Sequence, residues 1–225
     1  MKTILITGTT SGLGASIAHF YLEKGWNVIG LARGESIFQY ANYKHYQTDI
    51  SRIYTSLSDT FDIIKDTKID VVVNNAAIFK MKSFSETSIE EIYDMIDINL
   101  KGAMYVTKFA LRNMQRGGRI FFINSVAGLE ELKNQSVYCA SKHGLTAFAG
   151  VLGEELRERG IKVTSIHPGG INTPLWNKQN PYPCGDVNQA ISTEELVKVI
   201  DFVYNSNSNM EYKTIKVFPD TEWHQ

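Results

Sequence analysis

Tyr138 and Lys142 stand four residues apart in the segment Tyr138-Cys139-Ala140-Ser141-Lys142. On a helix that spacing puts both side chains on one face, a turn apart. A free phenol titrates near pH ~10 and is a poor proton-transfer group in neutral water. An ammonium beside it favours the phenolate and draws the pKa toward the working range. Ser125, thirteen residues upstream at the end of an apolar run, can offer a hydroxyl to the same oxygen that the phenol serves. This trio suits proton transfer to or from the oxygen of a carbonyl or an alcohol. A Tyr-x-x-x-Lys pair also occurs on ordinary helix surfaces, so the elements around it decide its meaning.

The first such element is near the amino terminus, in Lys2-Thr3-Ile4-Leu5-Ile6-Thr7-Gly8-Thr9-Thr10-Ser11-Gly12-Leu13-Gly14. Residues 3–6 have the apolar, β-branched character of a buried parallel strand. The three glycines predict a strand-to-helix turn that lets a pyrophosphate approach the main chain, with the free amides of the helix start facing the phosphates. The spacing is Gly-x-x-x-Gly-x-Gly, which differs from the Gly-x-Gly-x-x-Gly fingerprint.

Further apolar runs at 27–31, 45–48, 69–74, 119–124, 162–167 and 214–218 are separated by helical stretches. Seven strands alternating with helices predict an α/β fold, a doubly wound seven-stranded parallel sheet of Rossmann-like type. Ser88-Ile89-Glu90-Glu91 reads as a capping box opening a helix that continues, with a break, toward Met114. Gly117-Gly118 is expected to punctuate its end. Ser192-Thr193-Glu194-Glu195 reads as a second cap, opening a helix over 196–204, and 205–209 as a surface loop. With no repeat and no linker, residues 1–225 are expected to form a single domain. Residues 172–191 hold three of the five prolines together with Trp176 and Tyr182. They are expected to cover a substrate.

At 225 residues, 43% hydrophobic and 21% charged, the chain can bury a sizeable core. A net charge of −1 gives no footprint for nucleic acid or an anionic membrane. The two cysteines, Cys139 and Cys184, provide neither a disulfide framework nor metal-ligand spacing, so no metal is expected. No apolar stretch approaches the ~18 residues of a membrane span, and the start is too brief for a signal peptide. The expected location is cytoplasmic.

Taken together, these motifs resemble the short-chain dehydrogenase/reductase family, by motif from Thr7 to Thr173 and beyond that by element order. The resemblance implies a single-domain Rossmann-like fold with strand order 3-2-1-4-5-6-7 and a homodimer or homotetramer. Residues 7–14 match the family's cofactor turn, which assigns cofactor contacts to Gly8, Thr10, Ser11, Gly12, Leu13 and Gly14. Asp49 and Ile50 occupy the adenine-binding position after the third strand. Asn74-Asn75-Ala76-Ala77 matches Asn-Asn-Ala-Gly except at its last position, where Ala77 replaces glycine but leaves Asn75 and the main chain available. Pro168, Gly169, Ile171 and Thr173 fall in the segment after the sixth strand, where Ile171 and Thr173 would hold the carboxamide.

Asn99, Ser125, Tyr138 and Lys142 line up with the family's catalytic tetrad. The resemblance makes Tyr138 the general acid in reduction and the base in oxidation. Ser125 orients the carbonyl and stabilises charge on its oxygen. Lys142 lowers the pKa of Tyr138 and bonds the nicotinamide ribose, and Asn99 holds a relay water. Asn99 also reads simply as a helix-bending residue with internal hydrogen bonds. Segments 99–114 and 138–158 resemble the family's two interface helices, and Phe109, Leu111, Phe148 and Leu152 on them are candidate contacts with a partner subunit, although some must face the sheet.

Members that prefer NAD carry an acidic residue at the end of the second strand. Counting from Thr7, that position is Ala32, followed by Arg33, whose guanidinium fork suits a 2′-phosphate. NADP(H) is therefore the expected cofactor, with NAD(H) possible because Glu35 is near. The expected activity is NADP(H)-dependent interconversion of a carbonyl and an alcohol on a small molecule, chiefly as a ketone or aldehyde reductase. Two alternatives stay open: an NAD-dependent alcohol or sugar-alcohol dehydrogenase, and a non-catalytic cofactor-binding regulatory protein.

Overall fold

In a computed structural model, which describes residues 1–52, 57–207 and 209–222, strict alternation along the strands builds two cores. β1 (Thr3–Thr7), β2 (Asn27–Ala32), β3 (Tyr43–Gln47), β4 (Ile69–Asn74), β5 (Met114–Ile123), β6 (Lys162–Pro168) and β7 (Thr214–Val217) form one sheet in the order β3-β2-β1-β4-β5-β6-β7. Every pairing is parallel, so the chain crosses over between neighbouring strands. Ile4, Ile6, Val71, Val73 and Phe121 point to one face, against Ile17 and Tyr21 of α1 (Gly12–Glu23) and Leu196 and Ile200 of α6 (Thr193–Asn205). Leu5, Val72, Ile120 and Phe122 point to the other. There they meet Phe61 of α2 (Ser58–Ile63), Val106 of α4 (Ala103–Ala110) and Leu145 of α5 (Ser136–Glu155). Burying each such Ile or Leu contributes roughly 1.5–3 kcal/mol.

The expected helix after Ser88 divides into three. Its capping box is formed by Ser88 and Glu91 and opens α3 (Ile89–Ile96). A π-helical stretch, Asp97–Gly102, then carries Asn99 before α4 begins. Ser192 caps α6 through the Glu195 amide at 3.2 Å, but the helix starts and ends slightly outside the expected span. The expected loop over 205–209 includes residue 208, which lies outside the described residues.

Two strand starts differ from the sequence reading. β3 begins at Tyr43, whose polar and half-buried character on an edge strand masks the apolar signal. β5 begins at Met114, because its pairing jumps from Ile69–Met114 to Val71–Arg119. Gly117 absorbs this irregularity with a φ of +88°, a left-handed conformation that suits glycine. The four candidate interface residues also pack within the fold. Phe109 stacks on Phe61 at 5.2 Å and Phe148 meets Phe122 edge-on at 5.7 Å, while Leu152 is buried and Leu111 packs on the same core. The fold itself uses these four. Val151, 59% exposed, is a large apolar residue that α5 presents to solvent.

Candidate active site

Where the strand order reverses between β1 and β4, the carboxyl ends of the strands open onto a cleft of ≈ 360 Å³. Open α/β sheets bind ligands at such a switch point. Of the residues expected to contact a cofactor, Gly8, Thr10, Ser11, Gly12, Leu13, Arg33, Asp49, Ile50, Asn75, Ala76, Ala77, Tyr138, Lys142, Ile171 and Thr173 line it. Gly14, Asn99, Ser125, Pro168 and Gly169 are not among the lining residues. Gly14 has a packing role, since a methyl there would overlap the Gly8 carbonyl.

Gly8 (φ +78°) and Gly12 (φ +54°) turn the chain from β1 into α1, and the Gly8 amide donates to the Leu31 carbonyl at 2.7 Å. The start of α1 differs from those of α3 and α6. Ser11 makes no side-chain cap, and the first turn holds no acidic residue, so its amides face the cleft without a competing carboxylate. Thr7 stitches the turn to the end of β4. Its Oγ1 accepts from the amides of Asn75 and Ala76, both at 2.9 Å, and its carbonyl accepts from Asn75 Nδ2 at 2.9 Å. These contacts fit the phosphate-bearing half of a dinucleotide lying over the turn.

Ala32 is buried at the end of β2 and Arg33 is exposed beside it. Arg33 has no carboxylate partner among the described residues, and its carbonyl accepts from Gln47 Nε2 at 2.8 Å. The chain beyond it is held by a relay the sequence did not reveal. Thr9 Oγ1 meets the Tyr43 hydroxyl at 3.0 Å, which meets His45 Nδ1 at 3.1 Å, and His45 Nε2 bonds the Gly34 carbonyl at 2.9 Å. Glycine at 30 makes room for it, because a methyl there would overlap the Tyr43 hydroxyl.

At the other end of the cleft, α5 presents Tyr138 and Lys142, and the chain leaving β5 presents Ser125. Lys142 Nζ donates to the Ile123 carbonyl at 3.0 Å and lies 5.7 Å from the centre of the Tyr138 ring. Asn124 orients Ser125, its Oδ1 accepting from the Ser125 amide at 3.0 Å. His167 Nδ1 bonds the Ser125 carbonyl at 2.9 Å. A carbonyl only accepts, so the proton is on Nδ1. Burial, the main cause, keeps the pKa of this ring below its ordinary value. Asn124 and His167 escaped the sequence reading because neither shares a local motif with Tyr138.

The electrostatics of Tyr138 and Lys142 depart from expectation. Burial pushes the Tyr138 phenol from 10.0 up to about 12, against a lowering by its hydrogen bond with Ser125. Burial also lowers the Lys142 amine from 10.5 to about 7. Desolvation thus favours the neutral form of both groups. Asn99 is likewise committed elsewhere. Its Oδ1 accepts from the Ile78 amide at 2.8 Å, and its Nδ2 donates to the Ile78 carbonyl at 2.9 Å and to Ser141 Oγ at 3.2 Å.

From the loop at 172–191, Leu175 and Trp176 pack on the apolar cluster that holds Tyr138. Phe79 packs edge-on to the phenol at 4.8 Å, Trp176 edge-on to Phe79 at 5.4 Å, and Tyr182 against Trp176 at 5.2 Å. Trp176 Nε1 is buried without a hydrogen-bond partner among the described residues. No helix of the described residues is long and apolar enough to cross a membrane.

The family model described as short chain dehydrogenase matches residues 2–183, and the chain belongs to that family. An uncharacterized oxidoreductase of Staphylococcus saprophyticus is 33% identical over 187 residues, covering 77% of this chain and 80% of its own. An uncharacterized oxidoreductase of Staphylococcus aureus strain MW2 is 26% identical over 228 residues, covering 97% of each. Among solved structures, 4-hydroxyisoleucine dehydrogenase complexed with NADH superposes with a TM-score of 0.88 over 100% of both chains, at 21% identity. A short chain dehydrogenase from Burkholderia cenocepacia in complex with NADP gives a TM-score of 0.84 over 98% of this chain and 97% of that one, at 22% identity. The protein is an NAD(P)-dependent oxidoreductase of the short-chain dehydrogenase family.

Proposed function

We propose that this enzyme uses NADP(H) and reduces a ketone or aldehyde on a small or medium organic molecule, with Tyr138 as the general acid. The observation that carries this reading is one cleft lined by Tyr138 and Lys142 at one end and by Arg33 at the other. A bound nicotinamide cofactor supplies the hydride, which is chemistry the chain's own side chains lack. The glycine turn and the uncapped start of α1 hold its phosphates, and Arg33 meets the 2′-phosphate.

A phenol held neutral by burial keeps its proton at neutral pH and can deliver it to the oxygen of a carbonyl. Ser125, oriented by Asn124, donates to the same oxygen as negative charge builds there. Lys142 holds the nicotinamide ribose and, with a pKa near neutrality, can return a proton to Tyr138. Asn99 supports the site through the Ile78 main chain, and any relay water there would bond its main chain. The NADH and NADP carried by the neighbours leave both cofactors in play, so the preference rests on Ala32 and Arg33. Residues 1–225 act as one domain, and the family likeness supports a homodimer or homotetramer.

The test is a screen of purified protein with NADPH and NADH against ketones, aldehydes, keto-sugars, quinones and acyl thioesters. Faster carbonyl reduction with NADPH is expected. Binding of either cofactor with no turnover on the whole panel would favour a regulatory role instead.

A further inference from the structure

The chain's carboxyl-terminal segment returns to the strand end that borders the cleft. After β7, Asp220–Glu222 forms a single 3-10 turn. There the Glu222 carboxylate accepts from the Gly170 amide, at 2.9 Å to Oε1 and 3.1 Å to Oε2. The same Oε1 accepts from the Tyr182 hydroxyl at 2.6 Å. One carboxylate thus joins the start of the substrate-side loop to its middle.

The glycines at 169 and 170 fit this arrangement. A methyl on Gly169 would overlap the Glu222 carboxylate, and one on Gly170 would overlap both the Tyr182 ring and Glu222. From Tyr182 the contact continues without a gap through Trp176 and Phe79 to Tyr138, with ring centres at 5.2, 5.4 and 4.8 Å. A second tie runs alongside, where Asn180 Oδ1 accepts from the Met81 amide at 3.2 Å. The three rings pack in contact, tilted at Tyr182–Trp176 and edge-on at Trp176–Phe79, so fixing Tyr182 restricts Trp176, which restricts the ring lying against the phenol.

We propose that Glu222 is a positioning residue for substrate binding: by bonding Gly170 and Tyr182 it holds the 172–183 segment closed, with Trp176 and Phe79 set against Tyr138. Glu222 is not among the residues lining the cleft. It acts through the loop, and the proposal rests on the assignment of Tyr138 as the reacting group. A charge-assisted hydrogen bond is the stronger kind, and losing one shifts an opening equilibrium by about 10- to 100-fold.

The first readout is hydrogen exchange in the cofactor-free protein, which needs no substrate. Glu222→Ala should speed exchange of amides in 172–183 by about tenfold or more and leave β1 and β4 unchanged. Tyr182→Phe keeps the ring and should act the same way, and because the two groups share one contact the double variant should fall short of the sum of the two. Glu222→Gln, which keeps one acceptor oxygen, should lie between. In the kinetic assay, Glu222→Ala should raise KM for the carbonyl substrate by about tenfold while kcat and NADPH affinity change far less. Unchanged exchange in 172–183, or acceleration spread over the whole sheet, would overturn the proposal. Should Glu222→Ala fail to fold, Tyr182→Phe decides alone. A wild-type enzyme without turnover on any carbonyl would remove the reductase reading and leave the exchange result to judge the loop.

Discussion

Replacing Lys142 with Met is expected to abolish turnover and yet stabilise the cofactor-free protein. Lys142 is 2% exposed, and its amine falls from 10.5 to about 7 because it is desolvated. Each pH unit of that fall is ~1.4 kcal/mol of preference for the neutral amine, so charging it inside the fold costs about 5 kcal/mol at most. Water entry and relaxation commonly reduce such a penalty, and about half is a sounder figure. Methionine keeps most of the stem and carries no charge, but removes the donor to the Ile123 carbonyl, an offset of about 1 kcal/mol. The net gain at about pH 6 is then roughly 1–3 kcal/mol, or a Tm rise of roughly 3–10 °C for a chain of this size. The sign with pH follows from the folded pKa lying below the unfolded one. Between about pH 7 and 10.5 the unfolded chain holds more protons at this site, so wild-type stability rises across that window. The Met variant lacks this rise, so its advantage should shrink from about pH 6 to pH 9. Above pH 10 the Tyr138 phenol acts in reverse, since it titrates at 10.0 unfolded and about 12 folded. Thermal unfolding followed by far-ultraviolet circular dichroism across this range measures the gap directly. A gap that does not vary with pH, or a Met variant less stable at acid pH, would refute the burial argument.

Tyr138→Phe keeps the ring and loses the proton, so steady-state turnover should drop by ~10²–10⁴-fold while nicotinamide fluorescence still reports NADPH binding; a near-normal rate would remove the assignment. NADPH should bind roughly 10- to 100-fold more tightly than NADH. Ala32→Asp with Arg33→Ser should reverse that order by adding repulsion as well as removing attraction, and equal affinities in the unmodified protein would mean Arg33 faces solvent. Thr7→Val leaves the Asn75 and Ala76 amides without their shared acceptor, at a cost of about 2 kcal/mol and a Tm loss of roughly 4–8 °C. An unchanged melting curve would show that another acceptor replaces the hydroxyl.

Features written in local spacing were legible without coordinates. The apolar run before Gly8 predicted β1, the three glycines predicted its turn into α1, and four-residue spacing put Tyr138 and Lys142 on one helix face. Alternation of strand and helix carried the parallel sheet, since parallel neighbours require crossovers, while the strand order came from the family resemblance. The start of β5 was misplaced because Gly117-Gly118 reads as a stop locally, whereas pairing with β4 draws Met114 into the sheet. Thr9 follows β1 whereas Tyr43 and His45 lie on β3, and only the sheet order β3-β2-β1 brings them together.

Spacing also suggested that Lys142 would acidify Tyr138, but charge in a protein depends on the surrounding dielectric. The packing of α5 against β5 and the aromatic loop removes water from both groups, so their pKa values shift toward neutrality of each. The Glu222 tie to Gly170 and Tyr182 joins parts of the chain with no common periodicity. A sequence can state which groups are available and which share a local face. The tertiary structure alone decides which distant groups meet and how dry they become, because both depend on what the rest of the chain packs around them.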